Sequence, residues 1–164
     1  MSTDRFANLE AAGAALAIEV TGHLSKFFPE VTPMVLAVIP NGVPVALPVA
    51  RSLGVQALAL EVQRSEDGVE IAELPDVRGQ VVIVIDDGVE TGTVARSVVG
   101  PIRDAGAARV ILAVPVCSRE LLAQLVVRYD EVIALAKPMA RRSLAWHYED
   151  FKTIDELTAL DLLK

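Results

Sequence analysis

The sequence has few of the side chains that build disulfides and metal sites. Cys117 is the only cysteine, His23 and His147 are the only histidines, and aromatic residues make up 4% of the chain. A lone cysteine excludes an internal disulfide and a cysteine-based metal site, and it fits a reducing compartment. The two histidines have no metal-ligand partner at a useful spacing. We therefore interpret Cys117 as unreactive and His147 as a surface residue.

Positive charge and long apolar runs are also scarce. The chain carries 15 Lys and Arg against 22 Asp and Glu, a net charge of −7, and its basic residues form no stripe. Such a surface argues against a nucleic-acid partner. No run reaches the roughly 18 apolar residues of a membrane-spanning helix, and residues 1–10 lack the apolar core of a secretory signal. We therefore expect a cytoplasmic protein with no membrane partner.

Aliphatic residues are abundant and follow an alternating pattern of strands and helices. Apolar residues make up 52% of the chain, and its 164 residues suit a single domain spanning 1–164. Periodicity and capping signals predict helices over residues 4–25, 43–53, 93–105 and 119–128, and from a Thr153-x-x-Glu156 capping box to residue 163. Apolar runs predict strands over 34–39, 55–62, 81–86, 109–114 and 131–136. This alternation predicts an α/β fold whose central, mostly parallel, twisted sheet is flanked by helices on both faces.

The most informative stretch is a buried strand followed by two acids and a loop of small residues. Five β-branched apolar residues, 81–85, precede Asp86-Asp87-Gly88-Val89-Glu90-Thr91-Gly92-Thr93. Backbone N–H groups of such a loop, at the start of a helix, bind phosphate. The carboxylates suit hydroxyl groups or a divalent cation. A phosphate site beside a hydroxyl site describes a sugar phosphate.

This stretch has two other interpretations. Asp-Gly after a strand often forms a plain turn, with Thr91 as a helix N-cap, but that explains the residues singly and not their order. A phospho-acceptor receiver domain also places an acid pair at a strand end, and Lys137-Pro138 fits it. A receiver needs another Asp after an intervening strand, whereas the next strand here ends at Val114-Pro115.

Residues 81–93 resemble the phosphoribosyl-pyrophosphate (PRPP) motif of the type I phosphoribosyltransferases. The resemblance implies that Asp86 and Asp87 hold the ribose hydroxyls and that Mg²⁺ is carried mainly by PRPP, with no direct protein ligand set. It implies that the following loop holds the 5′-phosphate; its members are Gly88, Val89, Glu90, Thr91, Gly92 and Thr93. The implied catalytic residues are Asp87 and Glu90, and Glu90 either acts as a general base for the attacking nitrogen or accepts a hydrogen bond from the base without moving a proton.

The resemblance extends to three further segments. Residues 38–46 are similar to the family's first-strand segment, which implies pyrophosphate contacts from Asn41 and Gly42, although the family's usual Arg or Lys is absent at Asn41. Taken alone, Asn41-Gly42 fits a plain turn equally well. Arg64 follows the second strand, where relatives carry basic residues, and it either meets pyrophosphate or is simply solvated. Residues 142–151 resemble the tail of a branch of predicted phosphoribosyltransferases, a small C-terminal hood. There Trp146 and Tyr148 either contact the base or form an aromatic cluster that packs the last helix.

The resemblance implies transfer of ribose 5-phosphate from PRPP to a nitrogen nucleophile, a nucleobase being the expected acceptor, with release of pyrophosphate. Segment 63–80 lies where these enzymes carry a long closing loop, but it is short, polar and without lysine. It has a turn at Asp67-Gly68 and room for a strand at 69–72. Slow turnover is therefore expected, and the alternative is a non-catalytic PRPP or nucleotide sensor. Apolar helices near 45–53 and 94–102 favour a homodimer.

Overall fold

The computed structural model describes residues 5–139 and 142–164. Its helices are α1 (Leu9–Phe27), α2 (Gly42–Leu53), α3 (Thr93–Asp104), α4 (Arg119–Leu125) and α5 (Glu156–Leu162). Its strands are β1 (Met34–Val38), β2 (Ala57–Ser65), β3 (Gly68–Glu73), β4 (Val81–Ile85), β5 (Arg109–Val116) and β6 (Glu131–Ala136). A short 3₁₀ helix, Leu144–His147, precedes α5. The predicted α/β class is confirmed.

The strands form one sheet in the order β3-β2-β1-β4-β5-β6. All neighbouring pairs are parallel except β2 and β3, which are antiparallel. The chain moves from β1 toward β2 but from β4 toward β5, so the direction of winding reverses between β1 and β4. In open α/β sheets, ligands bind beyond the carboxyl ends of the strands at such a reversal.

Helices cover both faces of the sheet, as predicted. Ile83 and Ile85 of β4 pack into a core shared with α1 and α2. Val82 and Val84, on the opposite face of the same strand, pack into a core shared with α3 and α4. A strand buried on both faces needs no polar alternation, which explains its continuous apolar run.

Segment 63–80 is more regular than its polar composition suggests. β2 continues to Ser65, and β3 pairs back onto it, with Ser65 opposite Gly68 and Val62 opposite Ile71. The hairpin therefore replaces most of the expected loop, and the strand expected at 69–72 is part of β3. In β3 the half-buried Val69 and Ile71 alternate with exposed residues, whereas the last three residues of β2 are all exposed. The polar end of the hairpin therefore faces solvent.

Two helix starts differ from the sequence predictions. Helix α1 begins at Leu9, where the Asn8 side chain caps it by accepting a hydrogen bond from the N–H of Ala11 at 2.7 Å. The expected start at Asp4 lies outside the described residues. The capping box predicted at Thr153 is wrong, because Asp155 is the N-cap of α5 and accepts from the N–H of Thr158.

None of the helices in residues 5–139 and 142–164 combines the length and hydropathy needed to cross a membrane.

Candidate active site

A cavity of about 740 Å³ opens at the carboxyl ends of the central strands. Its walls come from the β1–α2 turn, the β2–β3 hairpin, the β4–α3 loop and the segment before α5. The lining includes residues 38–41, 61–64, 86–95 and 143–145, together with Phe151 and Glu156. The fold thus brings the acid pair, the small-residue loop, Asn41 and Arg64 to one cavity, although they lie far apart in the sequence.

The acid pair lies at the end of β4, inside this cavity. The N–H of Asp87 donates to Asp86 Oδ1 at 2.8 Å, and Asp87 is 8% exposed. Burial, followed by the charge of Asp87, holds the pKa of Asp86 well above its usual value, while the charge of Arg64 acts in the opposite direction. Burial also raises the pKa of Asp87. Two crowded carboxyls of this kind are relieved by hydroxyl donors or by a cation.

The loop after the acid pair is shaped by glycine. Gly88 and Gly92 have φ angles of 148° and 82°, a region that other residues rarely adopt. The N–H of Val89 donates to the carbonyl of Val116 at 2.8 Å, which fastens the loop to β5. A Cβ on Gly88 would lie 2.5 Å from Leu144 Cδ2, so the loop is also packed tightly against the C-terminal segment.

Helix α3 begins at the end of this loop with open backbone donors. Gly92 is its N-cap, and no side chain among the described residues caps it. The N–H of Thr93 lies 3.4 Å from Thr91 Oγ1, which is a long contact. Uncapped N–H groups and the positive end of a helix dipole form an anion site.

A protein-family model described as the phosphoribosyl transferase domain matches residues 3–136. The chain belongs to this family. Two Mycobacterium tuberculosis proteins named as candidate phosphoribosyl transferases are each 33% identical to it over 73 residues. That stretch covers 44% of this chain and 16% of each relative, so the chain spans a small part of the length of those relatives.

Solved structures share the phosphoribosyltransferase fold. The TT1426 protein of Thermus thermophilus superposes with a TM-score of 0.81 at 25% identity, over 97% of both chains. A purine phosphoribosyltransferase of Pyrococcus horikoshii superposes with a TM-score of 0.59 at 18% identity, over 90% of this chain and 92% of its own. An APRTase of Giardia lamblia, complexed with 9-deazaadenine, reaches 0.58 at 20% identity over 77% and 79%. At 18% and 20% identity, the last two structures show that this chain shares their fold and nothing more.

The β1–α2 turn, where phosphoribosyltransferases usually carry a basic residue, is occupied by Asn41. Its Oδ1 accepts a hydrogen bond from the N–H of Ile154 at 2.9 Å, so this side chain fastens the segment before α5 to the turn. Gly42 lies behind the cavity lining and is buried. A Cβ there would lie 2.7 Å from the carbonyl oxygen of Ile85, so glycine allows α2 to start directly against the end of β4.

The aromatic residues predicted to contact a base do not line the cavity. Tyr148 is 2% exposed, and its hydroxyl donates to the carbonyl of Asp87 at 2.7 Å. Trp146 is 40% exposed and lies under the guanidinium of Arg142, 4.3 Å from the ring centroid. The cavity wall beside them comes from Phe151, the third aromatic residue of segment 142–151, and from Leu144, which the sequence does not mark as a site residue. No local pattern marks a leucine that packs against a distant glycine.

His147 and Cys117, two residues outside the motif, are both buried. The interpretation of His147 as a surface residue is wrong, because the residue is 1% exposed. Its backbone carbonyl accepts from the N–H of Phe6 at 2.7 Å, which explains why this turn is drawn inward. Cys117 is fully buried, and burial raises the pKa of its thiol to about 11, in agreement with an unreactive residue.

Proposed function

We propose that this member of the phosphoribosyl transferase family transfers ribose 5-phosphate from PRPP to a nitrogen nucleophile and releases pyrophosphate. The observation that carries the proposal is the pairing of two crowded carboxyls, Asp86 and Asp87, with an uncapped helix start at Gly92 in one cavity. A ligand that satisfies both must present hydroxyl donors a few ångströms from a phosphate. A ribose 5-phosphate has that chemistry.

We propose one orientation for PRPP in the cavity. The ribose hydroxyls would donate to Asp86 and Asp87, and the 5′-phosphate would lie over the N–H groups of residues 88–93. The pyrophosphate would then face the β1–α2 turn, where the backbone of Asn41 and the guanidinium of Arg64 line the cavity and can donate, while the buried Gly42 lets the turn approach β4. The effect of Arg64 on the pKa of Asp86 supports this placement, because the cation acts within the site.

Mg²⁺ is proposed to enter with PRPP. No group of three or more His, Cys, Asp or Glu in the described part of the chain is placed to hold a metal. Asp86 and Asp87 nevertheless present carboxylate oxygens, the donors that Mg²⁺ prefers, beside the expected ribose. The site therefore fits an ion whose other ligands are PRPP oxygens and water. When bound, it would neutralise charge on the departing pyrophosphate.

The chain's own residues would act by orientation and electrostatics. Bond breaking at the anomeric carbon builds positive charge on the ribose, and the carboxylates of Asp86 and Asp87 would stabilise it in place. Glu90 is exposed and lines the cavity, so it can accept a proton from the attacking nitrogen.

A nucleobase is the proposed acceptor, and the negative charge of the cavity indicates which kind of base it favours. Three further carboxylates line it, Glu61, Glu90 and Glu156, against the single cation of Arg64 among the described lining residues. Such walls favour bases that present N–H donors over acceptors that carry a carboxylate of their own. The purine phosphoribosyltransferase among the solved structures of this fold supports the same class.

Pyrophosphate release with a panel of bases tests this activity. We expect release with uncharged bases such as adenine or hypoxanthine and none with orotate. The rate should fall below the usual range of about 1–1,000 per second, because the β2–β3 hairpin is held by strand pairing and cannot fold fully over the cavity. PRPP binding without release for any base would favour the alternative, a PRPP sensor. A rate well inside the usual range would contradict the slow-turnover prediction.

A homodimer is part of the proposal, although the sequence argument for it is weakened. Val45, Val49 and Ile102, counted as surplus apolar residues, are fully buried in the core of the same chain. The remaining support is that dimers are the commonest soluble oligomers. Light scattering at micromolar concentration should give twice the chain mass of 17.5 kDa. A mass of one chain would contradict the prediction.

A further inference from the structure

We infer that Tyr148 is a positioning residue that sets the orientation of the acid pair toward the ribose hydroxyls. The inference rests on the proposed function and adds a residue that lies outside the matched family region, which ends at residue 136. The observation behind it is a buried hydrogen bond from the C-terminal segment, residues 142–156, to the backbone of Asp87.

The hydroxyl of Tyr148 is held rigidly. It donates to the carbonyl of Asp87 at 2.7 Å. The ring stacks on Phe151 with centroids 5.1 Å apart and meets Phe6 at 5.8 Å. Its backbone pairs with the N-terminal segment, where the N–H of Glu149 donates to the carbonyl of Phe6 at 2.7 Å. Burial raises the phenol pKa, so the hydroxyl stays protonated and remains a donor.

The peptide that accepts this hydrogen bond joins Asp87 to a glycine, one residue before the Val89 N–H that fastens the loop to β5. The Asp87 carbonyl belongs to the peptide unit shared with Gly88, whose φ of 148° lies where glycine has wide freedom. On its other side, the N–H of Asp87 is held by Asp86 Oδ1. The Tyr148 hydroxyl therefore fixes the carbonyl end of Asp87. Without this hydroxyl, we expect the Asp87 backbone and carboxylate to turn together.

A direct contact between Tyr148 and a base does not fit this geometry. The ring is 2% exposed and is absent from the cavity lining, whereas its neighbour Phe151 is present there. The side chain acts on the site through the Asp87 backbone.

The matched control is the second buried tyrosine. Tyr129 is 4% exposed, and its hydroxyl donates to the carbonyl of Ala95 at 2.6 Å. That bond ends on the backbone of α3 and not on the backbone of Asp86 or Asp87, although the charge of Asp86 acts on the Tyr129 phenol. Tyr129→Phe and Tyr148→Phe each remove one hydroxyl from a buried carbonyl, so both should lower the melting temperature by similar amounts.

The test compares ribose 5-phosphate with 2-deoxyribose 5-phosphate, each bound in competition with PRPP by calorimetry. We expect the wild type to prefer the ribose compound by about tenfold, since a hydroxyl on a carboxylate is worth that much. Tyr148→Phe should reduce the preference to less than about threefold, and Tyr129→Phe should retain it.

Equal weakening of both compounds by Tyr148→Phe, with the preference intact, would overturn the inference, because it would mark a purely structural role. A Tyr148→Phe chain that no longer folds would assign the hydroxyl to stability and overturn it as well. A wild type that binds neither sugar phosphate nor PRPP would instead overturn the proposed function, and this inference with it.

Discussion

An Asp87→Asn variant is expected to bind PRPP at least about 100-fold more weakly than the wild type and, without ligand, to melt at a higher temperature. The affinity falls because asparagine is uncharged and offers one acceptor oxygen instead of two. Hydrogen bonds to charged groups contribute about 1.5–3 kcal/mol each, and 100-fold corresponds to about 2.7 kcal/mol. The substitution conserves side-chain volume, so packing is retained.

The stability of the ligand-free variant follows from the raised pKa of Asp87. Burial favours the protonated carboxyl in the folded chain over the unfolded chain, whose pKa stays near 3.8. The folded state is therefore favoured below about pH 4, and the carboxyl progressively destabilises it as the pH rises through the raised pKa. Asparagine removes that penalty. The gain should be small near pH 4 and larger at neutral pH, and each kcal/mol gained would raise the melting temperature by roughly 2–4 °C for a chain of this size.

Asp104→Asn is the matched control for this experiment. Asp104 is exposed at the far end of α3, outside the cavity lining. The Asp104→Asn variant should leave both PRPP affinity and the pH dependence of melting unchanged. Calorimetry with PRPP and Mg²⁺, and melting curves between about pH 4 and pH 8, on either side of the transition expected from the raised pKa, measure the two effects. An Asp87→Asn chain that binds PRPP as tightly as the wild type would remove Asp87 from the ribose site.

Gly42→Ala is expected to destabilise the protein by about 1–3 kcal/mol and to weaken PRPP binding about tenfold or more. The new Cβ would lie 2.7 Å from the carbonyl oxygen of Ile85 and 3.2 Å from Cα of Asp86. Both are backbone atoms, so no side-chain rotation relieves the overlap. Helix α2 must move away from β4, which separates Asn41 from the acid pair.

The same substitution at Gly22 should have the opposite effect on stability. Gly22 lies inside α1, with no atom within 4 Å of an added Cβ. Alanine favours helix there by up to about 1 kcal/mol, and PRPP affinity should not change. Denaturant unfolding and calorimetry of the two variants test the pair. If Gly42→Ala matched Gly22→Ala in both measurements, the close approach of α2 to β4 would affect neither stability nor PRPP binding.

The parts of the site that the sequence predicts are local. The apolar run 81–85 and the order of residues 86–93 lie on consecutive positions, so a strand, an acid pair and a helix start can be recognised without knowing the fold. The alternation of elements predicts a parallel sheet, and that sheet brings the ends of β1 and β4 together. Both predictions are confirmed in the fold.

The parts that escape prediction depend on contacts between distant positions. The Tyr148 hydroxyl and the Asp87 carbonyl are 61 residues apart in sequence, and Asn41 and the Ile154 N–H are 113 apart. An aromatic cluster near the end of the chain is compatible with base contact or with packing, and only tertiary structure decides. The extent of the β2–β3 hairpin is underestimated from the sequence, because the residues around its turn are mostly polar, as they are in a loop.

A crystal structure with Mg²⁺ and PRPP would test the central claim most directly. We expect the 5′-phosphate over the backbone N–H groups between Glu90 and Thr93, and the ribose hydroxyls against Asp86 and Asp87. The pyrophosphate should face Asn41 and Arg64. PRPP bound elsewhere, or in this cavity with its hydroxyls turned away from the acid pair, would contradict the account.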